Sequence, residues 1–148
     1  MTAAQGWTCP RRTSTLAREH TREASRLEKE LEDAGIKLSS VATDILGVSG
    51  RAMLEALIAG ERDPQTLAQM AKGRMRTKVN ALSQALVGRF AEHHAFLCRM
   101  HLDRLDALDE DIAKLSTRIE QALAPFRDTL ARLDTIPGSA RRRRSDHR

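Results

Sequence analysis

The stretch "LDALDEDIAKLSTRI", residues 105–119, decides the fold of this chain. Its apolar residues alternate at spacings of three and four: Leu105, Leu108, Ile112, Leu115 and Ile119. This is the heptad period of a coiled coil rather than the period of an isolated globular helix. Apolar positions continue back to Val79, with no proline before Pro125. The pattern therefore predicts one long helix over residues 74–134, kinked near Pro125.

A second apolar seam lies in "TSTLAREHTREASRLEKELEDA", residues 13–34. Its members recur at helical spacing: Leu16, His20, Ala24, Leu27, Leu31 and Ala34. Gly35 follows where a helix C-terminal glycine is favoured, so we predict a helix over 13–35 and a disordered N-terminus over 1–12. Because each helix has a narrow apolar stripe that needs a partner, we expect this helix to run antiparallel to the region 100–124.

Between these two helices, glycines divide residues 36–73 into three predicted short helices, at about 39–46, 49–59 and 64–73. The expected fold is all-α: a long antiparallel helical hairpin or coiled coil with a tip of short helices. The heptads allow this coiled coil to close within one chain or between two chains.

Composition agrees with a helical protein and restricts its surroundings. Aromatic residues make up 3% of the 148 residues and Tyr is absent, whereas Leu and Ala are abundant. Two cysteines do not make a disulfide framework, and no signal peptide or membrane-spanning run is apparent. We therefore expect a cytoplasmic protein without membrane contact. The formal net charge is +5, but residues 141–148 hold five Arg and one Asp, so residues 1–140 carry only +1.

Two clusters of cations are candidates for binding nucleic acid. The first lies at the start of the predicted long helix and the second near the end of the chain: Lys72, Arg74, Arg76 and Lys78, then Arg141, Arg142, Arg143 and Arg144. A third row, Arg18, Arg22 and Arg26, is interpreted as a solvated helix face, because Glu19 and Glu23 lie beside it at helical spacing.

Other residue patterns are weighed as chemical sites and favour structural roles. His94, Cys98 and His101 share a helix face, but three ligands on a packing seam favour satisfied interior polar groups over a metal site. The row "VATDILGVSGRAMLEAL" has the look of a helix-turn-helix, yet Arg51 and Glu55 are the polar residues on its second helix, which favours packing over base reading. We find no catalytic set, and we expect no cofactor and no small-molecule substrate.

Three long phrases then point to a family. They are "REHTREASRLEKELEDAGIKLSSVATDILGVSGRAMLEALIAGERDP" (18–64), "FAEHHAFLCRMHLDRLDALDEDIAKLSTRIEQALAPF" (90–126) and "LDTIPG" (133–138). Together they resemble the middle of bacterial insertion-sequence transposases of the one-hundred-and-ten family, nearly continuously from about residue 12 to residue 138.

This resemblance implies a parent protein with three parts. An N-terminal RNase H-like domain holds a DEDD acidic set, a helical coiled coil follows, and a C-terminal domain supplies a serine nucleophile. Family relatives are recombinases acting on DNA, guided by a structured RNA. Here only residues 1–11 precede the resemblance, and Ser139 and the arginine run follow "TIPG", so no family catalytic residue can be assigned to this chain.

We therefore expect a truncated transposase fragment that lacks both catalytic centres of the family and is inactive on its own. Its roles would be dimerisation, with itself or with an intact transposase, and weak contact with DNA or structured RNA. Residues 135–148 would hold the start of a lost C-terminal domain and a disordered arginine-rich tail, which is either a relic of a shifted reading frame or a selected binding arm. The alternative function is a free-standing coiled-coil DNA-binding regulator with a helix-turn-helix-like tip.

Overall fold

The computed structural model describes residues 3–134 and confirms the all-α class, with no β-strand in this range. The α-helices are α1 (Ala3–Asp33), α2 (Val48–Ala59), α3 (Pro64–Ala68), α4 (Val79–Ala85), α5 (Glu92–Leu123) and α6 (Arg127–Asp134). Three short 3₁₀ helices accompany them: Leu38–Ser40, Gly73–Lys78 and Ala124–Phe126, the last of which contains Pro125.

α1 and α5 pack against each other as an antiparallel hairpin. Polar side-chain contacts cross between them; in order along α5, three of these join His94 to Asp33 at 2.9 Å, His101 to Glu23 at 2.5 Å and Asp109 to His20 at 3.1 Å. The partner's position in α1 falls as the position in α5 rises, so the two helices run in opposite directions.

The hydrophobic core lies where the tip meets the near half of the hairpin. Its fully buried side chains come from every part of the tip and from both long helices: Leu27, Leu38, Met53, Leu54, Leu57, Leu67, Leu82, Leu102 and Leu105. Burying one such side chain contributes about 1.5–3 kcal/mol. Beyond Leu105 the seam of α5 is only partly buried, and Leu123 is 46% exposed. The tip is therefore the better-packed end of the molecule.

The prediction of one helix over 74–134 is wrong, because the chain leaves helical geometry between α4 and α5. Here the backbone of residues 86–91 docks on the end of α1: the N–H of Arg89 donates to the carbonyl of Ala34 at 2.6 Å. A Cβ built on Gly88 would lie 2.5 Å from that same carbonyl oxygen. Glycine permits the close approach, and the tertiary contact stabilises the break.

The predicted helix at 39–46 is also wrong, since only the 3₁₀ turn Leu38–Ser40 forms there. Local side-chain bonds compete with helical ones: Asp44 Oδ1 accepts the N–H of Leu46 at 2.9 Å, and Ser40 Oγ donates to the carbonyl of Lys37 at 2.7 Å. The third short helix ends at Ala68 instead of Gly73.

The disorder predicted for residues 1–12 does not hold for residues 3–12, which continue α1. Thr13 and Ser14 can cap a helix, but they do not force one to begin, and Ala, Gln and Arg upstream are adequate helix formers. Residues 135–148, which include the "TIPG" phrase and the arginine run, lie outside the described residues. Among the described helices, none has the length and hydrophobicity needed to cross a membrane.

We expect Gly88→Ala to destabilise the fold by about 1–3 kcal/mol, because the added methyl group would push the 86–91 segment off the end of α1. Chemical denaturation followed by circular dichroism measures the change. Gly47→Ala is the control for an added methyl group. Its Cβ would meet its nearest atom at 3.4 Å, so its cost should be limited to that of a poorer N-cap for α2. Equal stability of the Gly88→Ala variant and the wild type would contradict the role of this contact.

Candidate nucleic-acid interface

The first predicted cation cluster lies on a defined part of the tip, residues 72–78, which we call the basic segment. Its four cations are exposed: Lys72, Arg74, Arg76 and Lys78. The backbone of this segment is anchored at its start, where the buried Ser49 Oγ accepts the N–H of Lys72 at 2.8 Å. Met75 is partly buried against the core, and Lys78 Nζ donates to the carbonyl of Val41 at 3.2 Å. The segment therefore presents its charges from a fixed backbone.

The charge of the basic segment is not neutralised by carboxylates of the described residues 3–134. No carboxylate of the described residues forms a salt bridge with its four cations. Residues 64–91 contain five cations, including exposed Arg89, and no Asp or Glu. The sequence shows this long stretch without acidic residues. Its charges act together because the whole stretch folds into one end of the molecule. A positive field at the tip is the consequence.

Lys72 stands between two surface depressions of the tip. The first, of about 420 Å³, is lined by Lys72 and Arg76 together with uncharged residues of 69–79. The second, of about 400 Å³, is lined by Lys72 and the start of α2, but also by Asp44. An anion therefore fits the first depression better, because no carboxylate lines it.

The arginine row of α1 differs in one respect from its sequence interpretation. Arg26 pairs with Glu23 at 2.9 Å, as the spacing suggests. Glu23 itself, however, is only 4% exposed and points into the α1–α5 interface towards His101. It is therefore not available to neutralise Arg18 and Arg22, which are both exposed. The second predicted cation cluster, Arg141 to Arg144, lies outside the described residues.

The structure does not support the helix-turn-helix interpretation. The first of the two helices does not form, and the polar side chains of the second helix, α2, bind α5. Arg51 of α2 donates two hydrogen bonds to Asp106, of 2.9 and 2.7 Å. Glu55 accepts hydrogen bonds from Arg99 and from Arg51. The hydrogen bond from Arg51 lowers the pKa of Asp106, and that from Arg99 lowers the pKa of Glu55. Both residues considered for base reading thus join α2 to α5.

His94, Cys98 and His101 are all buried, but each has a separate structural environment. His101 Nδ1 contacts Glu23 of α1, and His94 contacts Asp33. Burial raises the pKa of the Cys98 thiol to about 11, so it remains protonated at neutral pH. The ligand atoms of the three side chains do not converge on one point.

A different group, Asp33, His93 and His94, does bring its ligand atoms within 4.8 Å of one another. Hydrogen bonding nevertheless argues against a metal ion there. The Nδ1 of His94 accepts the backbone N–H of Ala91 at 3.1 Å, which places the proton on Nε2. That Nε2 donates to Asp33 at 2.9 Å and has no lone pair left for a cation. His94 is therefore a helix-capping residue that also ties α5 to α1.

Comparison with known proteins finds no matching family model, no similar curated protein and no similar solved structure.

Glu23 gives the hairpin a defined acid sensitivity. Burial by itself would raise the pKa of Glu23, but hydrogen bonds from His101 and Arg26, with nearby Arg104, lower it below the ordinary 4.5. A lowered pKa contributes stability that is present above pH 4.5 and is lost as the pH falls through the folded-state value.

We expect Glu23→Gln to lower the unfolding free energy at pH 7. The difference in unfolding free energy between the variant and the wild type should become smaller as the pH is lowered below 4.5. Urea denaturation of both proteins at several pH values measures the difference in unfolding free energy. Glu28→Gln on the same helix, outside the α1–α5 contacts described above, is the control. A difference that does not change with pH would exclude this electrostatic contribution.

Proposed function

We propose that this chain is a self-associating helical module that binds nucleic acid, of the kind that forms the middle of insertion-sequence transposases of the one-hundred-and-ten family. The observation that carries the proposal is the basic segment: four exposed cations on a fixed backbone, without a salt bridge to any described carboxylate, within residues 64–91, a stretch that contains no Asp or Glu. The sequence resemblance supports a role in DNA transposition and recombination. The described residues are assigned binding and no catalytic step.

The geometry favours contact with phosphates over reading of bases. The cations project from a short 3₁₀ helix, and the neighbouring α2 uses its Arg51 and Glu55 to hold α5. Phosphate contacts of this type give affinity that falls steeply with salt and depends little on sequence. The helix-turn-helix regulator loses its main structural support, and strong sequence preference in binding would be needed to restore it.

Self-association is supported by the far half of the hairpin. The heptad residues Leu108, Ile112, Leu115 and Ile119 are only partly buried there. A second copy of this chain carries the same apolar stripe at the same spacing, so two stripes can cover each other. The same surface would allow a mixed dimer with an intact transposase.

We expect Arg74→Gln combined with Arg76→Gln to weaken binding to duplex DNA and to reduce its salt dependence. Each lost phosphate contact lowers the slope of log affinity against log salt by about 0.9. Fluorescence anisotropy at several salt concentrations measures both quantities. Lys114→Gln with Arg127→Gln removes the same charge from α5 and α6 and is the matched control. Equal losses in the two variants would mean that net charge, and not the basic segment, governs binding.

We expect Ile112→Glu combined with Ile119→Glu to convert a dimer into a monomer while the tip stays folded, because charges would then face each other across the seam. Light scattering measures the mass, and circular dichroism checks helicity. Ala113→Glu with Thr117→Glu places the same charges on exposed positions of the same turns and should leave the mass unchanged. A variant that remains dimeric would contradict the seam as the interface.

A further inference from the structure

The outer face of α1 carries a second row of cations that extends beyond the three arginines considered above. Arg11, Arg18, Arg22 and Lys29 follow one another at spacings of seven, four and seven residues. Such spacings place side chains on one face of a helix. All four residues are exposed, whereas Leu27 and Leu31 of the same helix are buried against the core. We call this row the α1 outer face.

Carboxylates border the α1 outer face, and two of them, Glu32 and Asp33, follow Lys29 at spacings of three and four. No described carboxylate forms a salt bridge with its four cations. Glu23 is buried in the α1–α5 interface. Glu19 is exposed; it lines the groove between α1 and α5 with Leu16 and Leu115, and it shares a second depression with Arg22.

The side chains between these cations are short and folded back onto the helix. Thr15, Thr21 and Ser25 each donate a hydrogen bond to the carbonyl four residues earlier, at 3.0, 3.0 and 3.1 Å. The hydroxyl oxygens keep lone pairs, but they present no bulk above the helix surface. A large partner can therefore approach this face closely enough for the arginine and lysine side chains to reach its charges.

We propose that the α1 outer face is a second phosphate-binding surface, fitted to the backbone of a double-stranded nucleic acid. From residue 11 to residue 29 the row extends about 27 Å along a straight helix. This length corresponds to roughly eight base pairs of duplex at 3.4 Å each. The helix holds these cations at fixed positions, and a duplex likewise holds its phosphates at fixed positions, whereas a single strand has to be ordered before it can contact all of them.

The α1 outer face is separate from the basic segment, so binding by each surface can be tested independently. The basic segment lies on the tip, whereas the α1 outer face runs along the hairpin. A long duplex in contact with both surfaces would gain from two sets of phosphate contacts on one body. The inference adds a second site and a preference for duplexes to the proposed function, but it does not require the basic segment to bind.

The test compares the double variant Arg18→Gln, Arg22→Gln with the wild type. The probes are a DNA duplex of about 24 base pairs and one of its single strands. Fluorescence anisotropy is measured over a range of salt concentrations. We expect the salt slope for the duplex to fall by about 1.8, since two contacts are lost, and the affinity at about 0.1 M salt to fall roughly 60-fold relative to a reference at about 1 M. The effect on the single strand should be smaller. Arg18→Lys with Arg22→Lys keeps the charges and should retain duplex binding.

Three outcomes would overturn the inference. The first is a duplex affinity equal to that of the wild type. The second is a loss no greater than that of the control Lys114→Gln with Arg127→Gln, which would indicate net charge alone. The third is an altered mass in light scattering without altered duplex binding, which would show that this face contacts a second copy. Loss of binding in the Arg74→Gln, Arg76→Gln variant is scored separately, so failure of the proposed function remains distinguishable.

Discussion

The docking of residues 86–91 on the end of α1 is the contact on which the rest of the structure depends. It joins the N–H of Arg89 to the carbonyl of Ala34 and needs a residue without a side chain at Gly88. Without this contact, the local sequence would favour continuing the helix from α4 into α5. With it, the chain folds back, and the stretch before α5 becomes a packed tip at one end of an antiparallel hairpin.

Charged side chains in and around the tip fall into two groups, those paired within the fold and those facing solvent. Cations of α2 and α5 are used internally, as in the network formed by Arg51, Glu55, Arg99 and Asp106. Cations of the basic segment face solvent and have no carboxylate partner in the part of the chain that the structure describes. Paired charges fix the position of α2 on the hairpin, whereas unpaired charges raise the local potential that an anionic partner meets. The same residue types therefore serve architecture in one place and binding in another.

Polar groups inside the hairpin fix how α1 and α5 align. Glu23 and His101 are buried in the seam, and buried His94 reaches the exposed Asp33. A shifted alignment would leave the buried groups without partners. The histidines appear in the sequence as candidate metal ligands because they share a helix face. Their partners come from α1, about 60 to 80 residues away in the chain, so local spacing could not reveal the role.

The sequence by itself determined the helical class, the antiparallel pairing and the presence of a cation cluster at residues 72–78. Heptad spacing and charge are local properties, and Leu105 to Ile119 display them without reference to the rest of the chain. Only the tertiary structure decided where the long helix breaks, that Arg51 and Glu55 serve packing, and that Glu23 is withdrawn from the arginine row. These outcomes depend on contacts between distant residues, whose energies outweigh the local preference for helix.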